Sequence, residues 1–188
     1  SKSEGNVVDP NKYLNLYNAD VLRLWALSVD YTQDVKVGDD SVESMSRVYF
    51  KLRNNLRYML SNLFDYDKFY QPSELSEKDK KALKLLMDYK TKMLEAYESY
   101  NFRNLFNLTV NFVSKTSSEY FDLETKGLLY EGSADRVERR NRQYVFNLML
   151  KEMVVLTAPM TPYLCEDVWN YMDEEKVSVF FEDLLKNS

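Results

Sequence analysis

The stretch SVESMSRVYFKLRNNLRYMLSN, residues 41–62, sets Met45, Val48, Leu52, Leu56 and Met59 three or four positions apart, and Leu63 continues the row just beyond it. That spacing collects the apolar side chains on one stripe of an α-helix; a strand would need alternation by two. Turning about 100° per residue, the rest of the circumference carries Arg47, Lys51, Arg53 and Arg57 together with Asn54 and Ser61. No acid lies between Ser44 and Phe64. This one helix therefore has a face to bury and a cationic face to show.

The apolar half of the pattern recurs along the chain. Of 188 residues, 45% are hydrophobic and 29% charged, with only 4 Gly and 4 Pro, which is too apolar for disorder and too poor in turn-formers for a many-stranded sandwich. The expected fold class is all-α. Asp9 and Pro10 start a short helix through Leu14 and Leu16, which stops near Asn18 because Asn tolerates the left-handed backbone of a helix end. A second helix is predicted over 20–28 and an extended connection over 31–37. After the helix over 41–62 comes a loop over 65–72, and Ser76 with Asp79 then opens a helix reaching about Tyr100. Another runs from Phe102 to about Phe121, Gly127 and Gly132 mark a turn region, and Ser133 caps a helix to Thr157. A last helix covers 164–172 after Pro159 and Pro162. The result is a bundle of four or five helices, and a change of composition at 38–40 divides a small part, 1–40, from the bundle, 41–188.

Composition also removes whole classes of chemistry. The chain has no histidine and a single cysteine, Cys165, so the common zinc sets, Ser-His-Asp and Cys-His catalysis have no residues to use, and no zinc is expected. No apolar run approaches a membrane span and no signal-peptide core is present, which predicts a cytoplasmic protein with no membrane partner. The net charge of -5 opposes nucleic-acid binding by overall attraction, and DNA is not an expected partner, but a local basic face still binds against an acidic average.

The helix over 41–62 has such a face. Phe50 and Tyr58 fall off its apolar arc, so cations for phosphates stand beside ring faces for unstacked bases, the combination a single-stranded RNA site requires. Arg47, Phe50, Lys51, Arg53, Asn54, Arg57 and Tyr58 are the binding candidates. The same arginines can equally pair with acids on neighbouring helices, and sequence alone leaves the two readings open. Arg136, Arg139, Arg140 and Arg142 in RVERRNRQ crowd a helix start, against the dipole; with Asp135 and Glu138 beside them, a structural pairing role is expected. Trp25, Trp169, Met149, Met153 and Met160 read as core. At the first residues, SKSEGN sets Lys2 between two hydroxyls, which suits either a frayed end or a mobile loop that closes on phosphate oxygens.

SKSEGNVVDP (1–10) followed by YNADVLRLWALSVDYTQDVKV (17–37) resembles class I aminoacyl-tRNA synthetases from inside their KMSKS signature onward. Ser1, Lys2 and Ser3 match its last three letters, and Gly5 and Asn6 the Gly-Asn that follows. SRVYFKLRNNLRYMLSNLFDYD, YFDLETKGLLY, RRNRQ and LTAPMTPYLCEDVWNYM then occur in the order seen in the isoleucyl branch, so the likeness extends to about Asp183. Asn18 stands where that branch usually has Gly, Tyr163 where it often has His, and Tyr144 where it often has Thr.

The resemblance implies an anticodon-binding helix bundle, preceded by a segment that contacts the inner corner of tRNA. It implies isoleucine tRNA as partner, and ATP with Mg and isoleucine as substrates of a whole enzyme in which Lys2 touches ATP. The histidine-bearing HIGH signature has no counterpart here, so the chain looks like a piece of a longer ligase, without catalytic residues of its own. The alternatives are the same region of a valyl or leucyl enzyme, or a helical protein-interaction bundle that binds no RNA.

Overall fold

Four long helices of alternating direction are what the apolar rows build. In this computed structural model residues 18–29 and 39–172 are described. They form α1 (Ala19–Ser28), α2 (Asp39–Ser61), α3 (Glu77–Glu98), α4 (Phe102–Lys115), a π-helical turn (Thr116–Tyr120), α5 (Leu123–Tyr130), α6 (Val137–Thr157) and α7 (Pro162–Tyr171), with no strand among them.

Cross-helix contacts fix the directions. Tyr89 stacks on Phe112 at 4.3 Å between ring centroids and shares a hydrogen bond with Thr109, while Thr109 also reaches Met93, so α4 runs back along α3. Asp79 meets Arg142, Lys90 meets Glu152, and the Tyr97 hydroxyl donates to Leu156 O, so α6 runs parallel to α3. Tyr58 lies on Phe146 and Gln143 donates to Asn62 O, which sets α6 antiparallel to α2. Between the four, Leu52, Leu56, Met59, Met93, Leu105, Phe146, Met149 and Met153 are buried. Each such side chain contributes about 1.5–3 kcal/mol relative to exposure.

The shorter helices close the ends. From α1, Val21 and Leu24 join the same core, and Trp25 Nε1 donates to Ser41 Oγ at 3.2 Å, tying α1 to α2. Asp20 is buried in α1 and accepts from the amides of Tyr163 (3.2 Å) and Leu164 (2.8 Å), the orphan donors of the first turn of α7. No side chain of Thr161, the local N-cap residue, does that work.

Several expectations change. Asn18 is not a left-handed helix end: its backbone is extended (φ -72°, ψ 163°) and Oδ1 accepts from Val21 N at 3.0 Å, so it caps the start of α1. The helix from Phe102 stops at Lys115 and widens into the π turn, where Thr116 returns its hydroxyl to Phe112 O and Val113 O. Gly127 sits inside α5, a helix the turn reading missed. Ser133 takes part in a turn with Asp135, and α6 starts at Val137 without a side-chain cap. Ser76 does open α3: its Oγ accepts from Asp79 N at 3.1 Å and donates to the Asp79 carboxylate. The short helix after Pro10, the connection over 31–37 and the Ser1–Lys2–Ser3 group lie outside the described residues.

Candidate nucleic-acid interface

The cationic face is built by α2 alone. Successive turns of that helix bring Arg47, Phe50, Lys51, Asn54, Arg57 and Ser61 to the surface in one stripe, and all six are exposed; Arg53, at its edge, is half-buried. Phe50 keeps 48% of its area accessible while its ring packs edge-on against Tyr49, 5.4 Å between centroids. Arg47 pairs with Glu43 at 3.1 Å on its own helix, an exposed i, i+4 contact worth a few tenths of a kcal/mol and easily exchanged for a phosphate. Among the described residues no ion pair engages Lys51, Arg53 or Arg57. Acids of the neighbouring helices do not take them up.

Tyr58 departs from its expected place. Its ring packs on Phe121 (4.6 Å between centroids) and Phe146 (5.8 Å), and burial pushes its hydroxyl up to about 12. The three rings form one mutually packed cluster, with Phe121 and Phe146 themselves 5.3 Å apart, so the side of Tyr58 that they cover is not open to a base. The wheel missed this because the π turn swings Phe121 over the flank of α2, a long-range event that periodicity on α2 does not encode.

Three arginines of the second basic cluster are consumed internally, as their acidic neighbours suggest, whereas Arg136 makes no ion pair among the described residues and its Nε is buried without a partner there. Arg139 grips Asp65 with two nitrogens at 2.8 and 2.9 Å, which holds that carboxyl below its usual range. Arg140 reaches Asp135 at 2.7 Å. Arg142 is buried, 2.7 Å from Asp79, in contact with the Thr125 hydroxyl and 4.7 Å above the Tyr120 ring. These side chains pin α6 to the loop after α2 and to α3.

Beside the stripe, α2 and the α4–π turn diverge and leave an open seam of about 490 Å³, lined by Lys51, Asn54, Asn55, Ser114, Ser117 and Ser118 together with the apolar Val113 and Phe121. Asn55, Ser114, Ser117 and Ser118 were not singled out from sequence. The available signal was the run TSSEY, whose small polar residues interrupt the helical rhythm after Lys115. A larger groove, of about 730 Å³, lies elsewhere, between Arg23 of α1, Tyr97, the turn residues Tyr100 and Asn101, and Phe102. Cys165 is buried with its thiol pushed up to about 12, so it offers no nucleophile. No cluster of three or more metal-ligating side chains and no helix long and apolar enough to cross a membrane occurs among the described residues.

Comparison with known proteins bears on what such a face meets. The family model described as the anticodon-binding domain of tRNA ligase matches residues 79–188. The isoleucine–tRNA ligase of Caldicellulosiruptor bescii is 34% identical over 100% of this chain and 22% of its own length. That of Mesoplasma florum is 38% identical over 92% of this chain and 19% of its own length. The chain thus spans about a fifth of the length of the curated relatives it matches. Among solved structures, Mycobacterium tuberculosis methionyl-tRNA synthetase in complex with methionyl-adenylate superposes with a TM-score of 0.80 at 18% identity, over 97% of this chain and 37% of that one. The Agrobacterium radiobacter K84 agnB2 LeuRS, in a ternary complex with tRNA and LeuAMS, superposes with a TM-score of 0.71 at 18% identity, over 95% of this chain and 21% of that one. Both likenesses concern the fold.

Proposed function

The chain belongs to the anticodon-binding domain family of tRNA ligases, and from that premise we propose that it is the tRNA-binding region of an isoleucine–tRNA ligase. One observation carries the reading: α2 exposes Lys51, Asn54 and Arg57 beside the open ring of Phe50, and no neighbouring acid neutralises the two cations among the described residues. Arg47 and Arg53 flank the same stripe and extend the track for phosphates. Tyr58 acts from behind, as packing that sets the angle of α2.

In the longer protein, ATP with Mg and isoleucine would be handled by the remaining four-fifths, with Ser1, Lys2 and Ser3 completing an ATP-contacting loop. The division into a leading segment, 1–40, that meets the inner corner of tRNA and a bundle, 41–188, that meets its anticodon arm belongs to the same proposal. The 34–38% identities to isoleucine–tRNA ligases support the amino-acid assignment, and the cytoplasm is the compartment that goes with it. Binding of the chain to isoleucine, valine and leucine tRNA transcripts tests the assignment. The isoleucine transcript is expected to bind tightest; equal affinity for all three would reduce the reading to a general tRNA contact.

A further inference from the structure

Three elements meet at one end of the bundle and leave the groove of about 730 Å³ between them: α1, the α3–α4 turn and the α6–α7 turn. Leu27, Val29, Leu105 and Met160 make an aliphatic part of its lining, and Tyr97, Tyr100 and Phe102 an aromatic part. Tyr97 is fixed by its bond to Leu156 O, and Phe102 stands edge-on to Tyr100 with 6.3 Å between centroids. Tyr100 is 79% exposed and has a left-handed backbone, φ 56°, the one non-glycine with positive φ among the described residues. The turn itself asks for glycine there. A tyrosine that accepts the strain and shows its ring to solvent is held ready for a contact that the described fold does not make. Arg23 adds a charge: its Nε donates to Pro159 O at 2.6 Å, and no acid among the described residues forms an ion pair with it. Asp20, one turn back on α1, gives its carboxylate to the amides of Tyr163 and Leu164.

The groove suits a polypeptide that brings apolar side chains to the aliphatic wall and a carboxylate to Arg23. A phosphate strand suits it poorly, since two arginines, Arg23 and Arg103, serve few phosphates and the aliphatic wall is left unused. The relatives point to the source of such a polypeptide, because this chain spans about a fifth of their length. α1 begins at the same end of the bundle, where Asp20 meets the first turn of α7 just past Pro159, so polypeptide leading into α1 is carried beside the groove. We infer that the groove seats an apolar segment of the longer ligase, from outside these 188 residues, whose carboxylate meets Arg23 and whose side chains close on Tyr100. This rests on the reading of the chain as part of a tRNA ligase and gives the bundle a second face: α2 holds the tRNA, and the groove ties the bundle to the rest of the enzyme.

The test uses the intact ligase that contains this chain, carrying the photoreactive substitution Tyr100→p-benzoylphenylalanine. Irradiation without tRNA is expected to join that side chain to a peptide of the same molecule outside residues 1–188, at a yield independent of protein concentration. A crosslink confined to residues 1–188, one that forms only with tRNA, one whose yield rises with concentration, or none at all would overturn the proposal, the first three in favour of the chain itself, RNA or a second copy. Tyr100→Gly supplies a second readout, because it removes ring and strain together and so keeps the fold. In the intact ligase it should lower kcat/KM for tRNA charging about tenfold while isoleucine-dependent pyrophosphate exchange stays unchanged, and Tyr100→Phe should charge tRNA normally. In the 188-residue chain Tyr100→Gly should leave the affinity for isoleucine tRNA as it was. Normal charging by the Tyr100→Gly ligase, or weaker tRNA binding by the Tyr100→Gly chain, would contradict the assignment. An unaltered ligase that charges tRNA while the photoreactive variant gives no such crosslink overturns the groove alone; one that charges none overturns the reading on which the groove rests.

Discussion

Asp79 is where three elements are joined by a single side chain. Its carboxylate receives Arg142 Nε at 2.7 Å, the Tyr120 hydroxyl at 2.6 Å and the Ser76 hydroxyl at 2.6 Å, while 97% of it is withdrawn from solvent. Removing one partner of such a pair strands the other, so Asp79→Ala should cost about 3–5 kcal/mol, read as a lower urea midpoint. A cost under 1 kcal/mol would mean that the network adds little. Asp65 sits nearer the surface and tells by pH. Arg139, followed by Gln143 and Arg140, lowers its folded pKa below 3.8. Its contribution is therefore present above the unfolded value and is lost as pH falls through the lower folded one. Asp65→Asn should be less stable at neutral pH and lose less stability on acidification below about pH 4. Tyr100 stores strain instead. It closes α3 with φ 56°, its amide donating to Tyr97 O and the next amide to Ala96 O, a geometry that Gly fits better. Left-handed backbone costs an L-residue about 1–2 kcal/mol and Gly loses about 0.5–1 in chain entropy, so Tyr100→Gly should stabilise by about 0.5–1 kcal/mol, raising the melting temperature.

At the scale of elements, the joint between α1 and α7 makes a sharper prediction than either helix alone. Burial pushes the Asp20 carboxyl up against the pull of two amide donors, and it caps a helix more than a hundred residues away. Asp20→Ala should cost about 1–2 kcal/mol and speed amide exchange at Tyr163 and Leu164 before the rest of α7. If those two amides remain as protected as before, the cap is incidental. Such a joint was not legible in advance. The chain states periodicity plainly, and α2, α3 and α6 follow from rows of apolar residues and, for α3, a Ser cap. What it leaves out is what helices do to each other. Asn18 suits a helix end and a helix start alike, and only its bond to Val21 decides. Gly127 reads as a turn until the Asp122 cap at Thr125 N starts a helix across it. The π turn arises from Thr116 back-bonding and from its clasp on Asn55, 61 residues away, and it carries with it both the misplacement of Tyr58 and the seam. The cationic stripe was readable because it lies on one helix, whereas the seam needs two.

At the scale of the whole molecule, net charge and function pull in opposite directions. A chain of net charge -5 holds RNA only if its cations are gathered and its acids kept away, and the fold does this by sending Arg139, Arg140 and Arg142 inward to acids while α2 shows Lys51 and Arg57 unpaired among the described residues. Attraction of this kind is counterion release, so it has a slope: log affinity falls linearly with log salt, by about 0.7–0.9 for each phosphate neutralised. The most direct measurement is the affinity of isoleucine tRNA for the chain across a salt series, made with the unaltered protein and with Lys51→Glu combined with Arg57→Glu. The double variant should keep its helical content, bind more weakly at low salt and show a salt slope shallower by about two contacts. Equal affinity and equal slope for the two proteins would place the RNA on some other surface and contradict the account.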